Sequence, residues 1–256
     1  MLSVQNLSKR YGGTLALDQV SLKIPQGQMV AIIGKSGAGK STFLRLMNRL
    51  IEPSDGQITF AGQDITRLRG AELRRWRAQA AMIFQGFNLS PRLDVLTNVM
   101  VGASTEIPQL RRLLRLYNHD ERLRAATALN DLGLIDKALE RAEHLSGGQQ
   151  QRVAIARALM QSPRLILADE PVASLDPGNT RRVMDTLRWI NGERGITVIC
   201  NLHSIDLARS YADRVIGLLD GRLVFDGPAD ALTNDALTVV YGEEFPAAAE
   251  DARSAA

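Results

Sequence analysis

Hydrophobic and polar positions change their period several times along the chain, and each change marks an element. Leu2 to Leu7 and Val20 to Ile24 alternate apolar with polar, as half-exposed antiparallel strands do. Met29 to Ile33 is instead continuously apolar, the pattern of a strand covered on both faces. Gln57 to Ala61, Ala81 to Phe84, Leu165 to Ala168 and Ile196 to Cys200 are further short strands. Val215 to Leu219 and Arg222 to Phe225, joined by Asp220-Gly221, read as a hairpin. Helical spacing appears in Glu72 to Ala80, with Leu73, Trp76 and Ala80 on one face. It returns in Leu123 to Leu132, closed by Gly133, and in Thr180 to Ile190, where Val183, Met184, Leu187 and Ile190 share a face and Asn191-Gly192 reads as the stop.

Between these elements, Glu52-Pro53-Ser54-Asp55-Gly56 is a turn. Leu110, Leu113, Leu114 and Tyr117 form an apolar stripe opposite Arg111, Arg112 and Arg115. Core packing or a membrane-surface helix would both use such a stripe. Arg74, Arg75 and Arg77 lie off the apolar face of their helix, as a solvated surface or a binding patch. Residues 1–241 read as one unit, with a core of 1–85 and 161–241 and a helical insert over about 86–160. The tail, 242–256, is alanine-rich from Pro246 on, lacks apolar periodicity and is expected to be disordered.

Composition narrows this only a little. At 256 residues and 45% hydrophobic, the chain can bury one substantial core. Its 31 basic and 28 acidic side chains leave a net charge of +3, so it is no polycation, and a pI of 9.2 is a weak pointer to acidic partners. The one cysteine, Cys200, excludes an internal disulfide and fits a reducing compartment or simply a core. No run approaches the roughly 18 apolar residues of a membrane span, and the N-terminus has no basic-then-apolar leader.

Chemistry concentrates in two glycine-rich turns. Gly34-Lys35-Ser36-Gly37-Ala38-Gly39-Lys40-Ser41 fits G-x-x-x-x-G-K-S between the apolar strand 29–33 and a helix starting near Lys40, the context a phosphate-cradling loop requires. Its amides wrap phosphates, Lys40 reaches the β- and γ-oxygens, and Ser41 offers its hydroxyl to Mg²⁺. The second turn opens Leu145 to Asp176, LSGGQQQRVAIARALMQSPRLILADEPVASLD. Ser146 and Gln149 stand in capping-box spacing, so a helix starts there, and Gly147 and Gly148 leave its amides open to a phosphate. The strand 165–168 then delivers Asp169 and Glu170 at its C-terminal end. Strand alternation would send these two carboxylates opposite ways, into different tasks.

Together these motifs make the chain resemble the nucleotide-binding subunit of an ABC transporter, from its first strand to about Tyr241. The implied fold is α/β, a P-loop NTPase core (mixed sheet flanked by helices) with an N-terminal antiparallel β subdomain and an inserted α-helical subdomain. The resemblance implies that Gly34, Lys35, Ser36, Gly37, Ala38, Gly39, Lys40, Ser41 and Thr42 bind ATP, with Tyr11 stacked on adenine where a plain strand-end aromatic would otherwise be read. It also implies that Gln85 opens a flexible loop and helps to hold Mg²⁺ and water, and that His203 contacts the γ-phosphate and orients the attacking water. Glu170 is the expected base, and Asp169 serves the Mg²⁺ through its water shell beside Ser41.

Ser146, Gly147, Gly148 and Gln149 cannot easily serve phosphates that the chain's own loop already surrounds. A two-fold dimer in which each such turn closes on the other chain's ATP makes both sites at once. In the family this is a head-to-tail sandwich, crossing here at Ser174-Leu175-Asp176. The implied partners are therefore a second copy, two membrane permease subunits and an extracytoplasmic solute-binding protein, at the cytoplasmic face of the membrane. Phe87-Asn88-Leu89 and Leu93 to Val99 would form the groove for a permease helix.

A soluble ABC ATPase acting on nucleic acid or ribosomes is the competing class, but it usually carries two such units or a long coiled coil. Among importers the chain is most similar to the phosphonate-uptake branch, through Phe84 to Leu89, Tyr117 to Arg122, Ile166 to Pro177, Asn201 to Ala208 and Val224 to Pro228. Phosphite, hypophosphite, phosphate and polar amino-acid importers are related options. Two departures stand out. Lys35 replaces a common proline and would either add a cation near the phosphates or point to solvent. Gly86 replaces a larger polar residue and would loosen the coupling groove.

Overall fold

The computed structural model describes residues 1–105, 107, 111, 114 and 116–242. Two sheets make up the fold, and strand β3 (Met29–Ile33) lies inside the second. The first holds β1 (Leu2–Tyr11), β2 (Thr14–Ile24), β4 (Asp55–Phe60) and β5 (Gln63–Asp64), all antiparallel, in the order β2-β1-β4-β5. The second takes in β6 (Ala80–Ile83), β7 (Leu165–Ala168), β8 (Thr197–Asn201), β9 (Arg214–Leu219) and β10 (Arg222–Pro228), in the order β10-β9-β3-β8-β7-β6. Only the β9–β10 hairpin pairs antiparallel in it, so the sheet is mixed.

Period-2 geometry turns each continuous apolar strand into a wall between two cores. Met29, Ala31 and Ile33 face a core shared with helices, whereas Val30 and Ile32 face one shared with the N-terminal sheet. β7 divides the same way, Ile166 and Ala168 against Leu165 and Leu167, and Cys200 is a fully buried member of the helical core. Burial pushes its thiol up to about 12, which makes it inert. Phe43, Leu44, Leu46 and Met47 of α1 (Lys40–Met47) fill the other core.

The first two strands run past the alternating segments because their phase slips. Asn6 and Gln19 adopt φ of 47°, and the β1–β2 register shifts between Val4 and Leu7, so both strands continue in a new phase as a hairpin out to Tyr11 and Thr14. Ala80, read as the end of a helical face, instead starts β6. The helix α2 (Gly70–Gln79) stops one residue earlier and buries Trp76 against Phe60. Arg74 and Arg75 are exposed, while Arg77 donates to the Arg49 carbonyl.

The helical insert packs α3 (Val95–Met100), α4 (His119–Asp131) and α5 (Gly147–Leu159) together through Val95, Val99, Ala125, Leu129, Val153 and Ala156. Asn118 and Glu121 form a complete capping box at the start of α4, four residues earlier than the apolar period reveals. Of the stripe before it, Leu110 and Leu113, with Arg112 and Arg115, lie outside the described residues. Leu114 is exposed and Tyr117 is buried, and Arg111 is paired to Glu121 at 3.0 Å.

α6 (Pro177–Arg194) runs through Asn191-Gly192, where the sequence pattern reads a stop. The Asn191 amide is buried and donates to the Gly27 and Ile196 carbonyls, which keeps that turn helical. Gly195, at φ 61°, is the residue that ends it. α7 (Ile205–Tyr211) and α8 (Asn234–Tyr241) close the helical side, and of the tail only Gly242 belongs to the described residues.

Candidate active site

The loop 34–39 turns back on itself because its glycines occupy conformations closed to other residues. Gly34 has φ 146°, and a Cβ there would lie 2.2 Å from the Leu218 carbonyl oxygen; Gly39, at φ 98°, would meet the Ala16 carbonyl at 2.5 Å. Gly39 also caps α1 without any side-chain hydrogen bond, so the first amides of that helix stay open for an anion. Lys40 is buried beneath the loop, and its Nζ donates to the Gly34 carbonyl at 2.7 Å and to the Lys35 carbonyl at 2.9 Å. Burial holds its ammonium below the usual lysine range, against the opposing pull of Glu170 and Asp169.

Ser41, one residue on, donates from its hydroxyl to Asp169 Oδ1 at 2.7 Å. The same carboxylate oxygen accepts from the Asn201 amide at 2.7 Å, and the Arg45 guanidinium stands 3.8 Å from Oδ2. Asn201 and Arg45 are not among the residues the motifs single out. The available signal was an amide ending an otherwise apolar strand beside the acid-bearing one.

Glu170 separates from Asp169 by a backbone device stronger than strand alternation. β7 ends at Ala168, Asp169 N–H still donates to the Ile83 carbonyl, and Glu170 then takes φ 52°. A left-handed glutamate is a strained conformation of the kind that collects at reactive sites. The turn aims its carboxylate at His203 Nε2, which lies 2.7 Å from Oε1. His203 is half-exposed and Asp169 is buried, so one acid serves an open cleft and the other the loop. That cleft, about 380 Å³, is lined by Glu170, Val172, Leu175, Asn201, His203 and Leu207 among others.

Gln85 follows β6, whose Ile83 pairs with Ala168, so it stands at the same edge of the sheet as the two acids. Tyr11 sits at the tip of the β1–β2 hairpin, about half-exposed, with Lys9 Nζ 4.9 Å from its ring centre; β2 then passes Gly39 at Ala16. The Lys35 amine is directed neither into the loop nor simply outward. A Cβ on Gly242 would lie 3.6 Å from it, so it approaches the C-terminal end of α8, where the helix dipole favours a cation.

Ser146 caps α5 with its hydroxyl accepting from Gln149 N–H at 3.4 Å, while Gln149 Oε1 accepts from Ser146 N–H at 2.9 Å. Thus the expected capping box is present. Gly147 and Gly148 are small for a packing reason as well: Cβ atoms there would meet Leu175 at 3.2 Å and the Asn179 side chain at 2.4 Å. Asn179 cannot swing away freely, because Asp176 holds its backbone and its amide. The two segments expected to face a second copy, 146–149 and 174–176, are therefore one physical unit.

This packing makes a prediction. Gly148→Ala overpacks the unit and lowers stability by about 1–3 kcal/mol, less the helix-propensity gain of roughly 1 kcal/mol. Adding Asn179→Ala removes the two contacts at 2.4 Å and leaves only the Asn179 Cβ, at 2.7 Å, to give way. Thermal unfolding should show the single variant melting below the wild type and the double variant recovering part of the loss.

The model of the ABC transporter family matches residues 17–173. The chain belongs to the ABC transporter family. This ABC transporter chain is 56% identical over 244 residues to the phosphonates import ATP-binding protein PhnC of Rhizobium johnstonii, covering 95% of the chain and 87% of that relative. It is 55% identical over 244 residues to phosphonates import ATP-binding protein PhnC 1 of Rhodopseudomonas palustris, covering 95% and 90%. Among solved structures, a dimeric ATP-binding cassette in a post-hydrolysis state bound to ADP and Pi is similar at TM-score 0.78 and 35% identity, over 90% of this chain and 99% of that one. A nucleotide-free cassette from an ABC transporter is similar at TM-score 0.82 and 27% identity, over 95% and 99%. The mixed sheet with its antiparallel N-terminal sheet is the P-loop NTPase architecture of these ABC cassettes.

Proposed function

We propose that this chain is the ATP-hydrolysing subunit of an importer for phosphonate or a related phosphorus oxyanion. The reading rests chiefly on the likeness, over nearly the whole chain, to proteins named for phosphonate import, and it is supported by the Ser41–Asp169 and Glu170–His203 contacts beside the glycine-rich loop. ATP is the substrate. The loop 34–39 and the open amides at the start of α1 receive its phosphates, Lys40 trades its carbonyl hydrogen bonds for phosphate oxygens, and Thr42 follows on the same turn. Tyr11 offers its exposed face to the base.

Mg²⁺ suits the donors beside it. Among the described residues no group of three or more His, Cys, Asp or Glu is placed to hold a metal, whereas Mg²⁺ needs only one or two protein oxygens in addition to phosphates and waters. Ser41, the Asp169 carboxylate and Gln85 would hold it, and when bound it neutralises charge on the β- and γ-phosphates. Glu170 accepts the proton of the attacking water or orients it, and His203, whose Nε2 lies 2.7 Å from Glu170 Oε1, would turn that nitrogen's N–H to the γ-phosphate. Ser146 to Gln149 would bind the phosphates of a second copy, and Ser174 to Asp176 would cross the two-fold axis.

Among the described residues no helix is long and apolar enough to cross a membrane. Passage of the solute then belongs to two permease subunits, supplied by an extracytoplasmic binding protein, with this chain at the cytoplasmic face. A groove of about 450 Å³ lined by Gly86, Phe87, Leu89, Pro91, Glu143 and Gln150 is the seat for a permease helix. A Cβ at Gly86 would meet nothing within 4 Å, so a larger residue fits there and glycine leaves this groove wider than it would.

The test is reconstitution with the permease subunits and the binding protein. We expect binding protein loaded with phosphonate to raise ATP hydrolysis severalfold over unloaded protein, with Glu170→Gln silent throughout. Stimulation by nucleic acid or ribosomes, and by none of phosphonate, phosphite or phosphate, would overturn the reading.

A further inference from the structure

We propose that Asn201 is a positioning residue for the Mg²⁺–nucleotide, acting through Asp169 and through its own free acceptor. The inference rests on the ATPase reading above. Asn201 ends β8, next to β7 in the sheet, and the parallel register Ala168↔Cys200 brings residues 169 and 201 to the same edge. Its strand is otherwise built for burial, from Thr197 through Val198, Ile199 and Cys200, and the asparagine itself is 0% exposed. An amide at such a place costs stability unless it is used.

Half of the amide is used in the structure as it stands. Nδ2 donates to Asp169 Oδ1 at 2.7 Å, the oxygen that also accepts from Ser41 at 2.7 Å. Two donors on one oxygen lock the carboxylate plane, while Oδ2 has the Arg45 guanidinium 3.8 Å away and accepts no side-chain hydrogen bond among the described residues. Residues that orient a metal-serving carboxylate in this way tune the metal as strongly as some direct ligands do.

The other half is unspent. Asn201 Oδ1 is buried and accepts no hydrogen bond from any described residue. A buried acceptor of that kind is uncommon and calls for a donor in some state of the protein. Asn201 also lines the cleft shared by Glu170 and His203, so its environment is the reaction site and not a remote core. The donor chemistry that fits is a water of a hydrated divalent cation, because Mg²⁺ keeps several waters and their protons are strongly polarised. An aspartate at this position would fail on the first count: it could accept from such a water but offers Asp169 a second negative charge in place of a donor.

The experiment measures ATP affinity of the full chain in Mg²⁺ and in EDTA, with Asn201→Leu, Asn201→Thr and the wild type, alongside Mg²⁺ titrations of hydrolysis and thermal unfolding without ligands. Asn201→Leu should leave the affinity in EDTA within about twofold. It should reduce the gain in affinity that Mg²⁺ confers, and raise the Mg²⁺ concentration for half-maximal hydrolysis, by about 10–100-fold. Asn201→Thr, which keeps a donor on a branched side chain suited to a strand, should recover part of that loss. Asn201→Leu with the Mg²⁺ dependence of the wild type overturns the inference, and so does an equal loss in Mg²⁺ and in EDTA, which marks a structural role only. A wild type that binds no ATP under either condition overturns the ATPase reading itself, and the role of Asn201 falls with it.

Discussion

Glu170→Gln leaves ATP binding intact and lowers hydrolysis by about 10²–10⁴-fold, the range that a positioned base supplies. Glutamine has the shape of glutamate, tolerates the same backbone turn no worse, and keeps an oxygen at the position that receives His203 Nε2 at 2.7 Å. What it lacks is the negative charge that takes a proton from water. With binding preserved and turnover removed, ATP should accumulate in the closed pair of chains. Size-exclusion chromatography with ATP should then show a dimer for the variant where the wild type returns to monomer, and phosphate release measured on the same samples gives the rate. A variant that hydrolyses ATP within tenfold of the wild-type rate would transfer the base role to another group in the cleft.

Lys40→Ala has the second large effect, and on the other parameter. The ammonium is buried under the loop and donates to two backbone carbonyls, so its charge is held ready for phosphate. Truncating one member of a buried, hydrogen-bonded charge pair costs about 2–5 kcal/mol, or roughly 30- to 5,000-fold in ATP affinity. Titration calorimetry reads this directly. The pH dependence carries a further mark. Burial lowers the folded-state pKa of Lys40 below the 10.5 of the free side chain, so the charged form opposes folding at neutral pH. That opposition fades as pH rises from the lowered value towards 10.5. Within the same window ATP binding should take up a proton, since phosphate restores the ammonium, and Lys40→Ala should abolish the uptake.

Glu170 and Lys40 differ in how far the chain alone reveals them. Lys40 and the glycines around it could be read from the chain because their constraint is local. A left-handed φ at Gly34, Gly37 and Gly39 and a helix that opens at Lys40 are properties of consecutive residues. The capping box Ser146–Gln149 and the apolar strands are local in the same sense. The divergence of Asp169 and Glu170 was expected from strand alternation, yet a left-handed turn at Glu170 produces it.

By itself, then, the order of residues determined most of the strands, the helix starts at Lys40 and Gly147, both phosphate-seat turns and the acid pair, since each depends on steric and hydrogen-bonding choices within a few residues. Tertiary structure decided where those pieces meet. It carried α6 past Asn191-Gly192, because carbonyls from Gly27 and Ile196 capture the Asn191 amide. It turned Lys35 towards the end of α8, more than 200 residues away. It set Asn201 on Asp169 across two parallel strands, which no spacing rule contains. Burial and cross-strand register act between residues distant in the chain, so their consequences appear only when the sheet has formed.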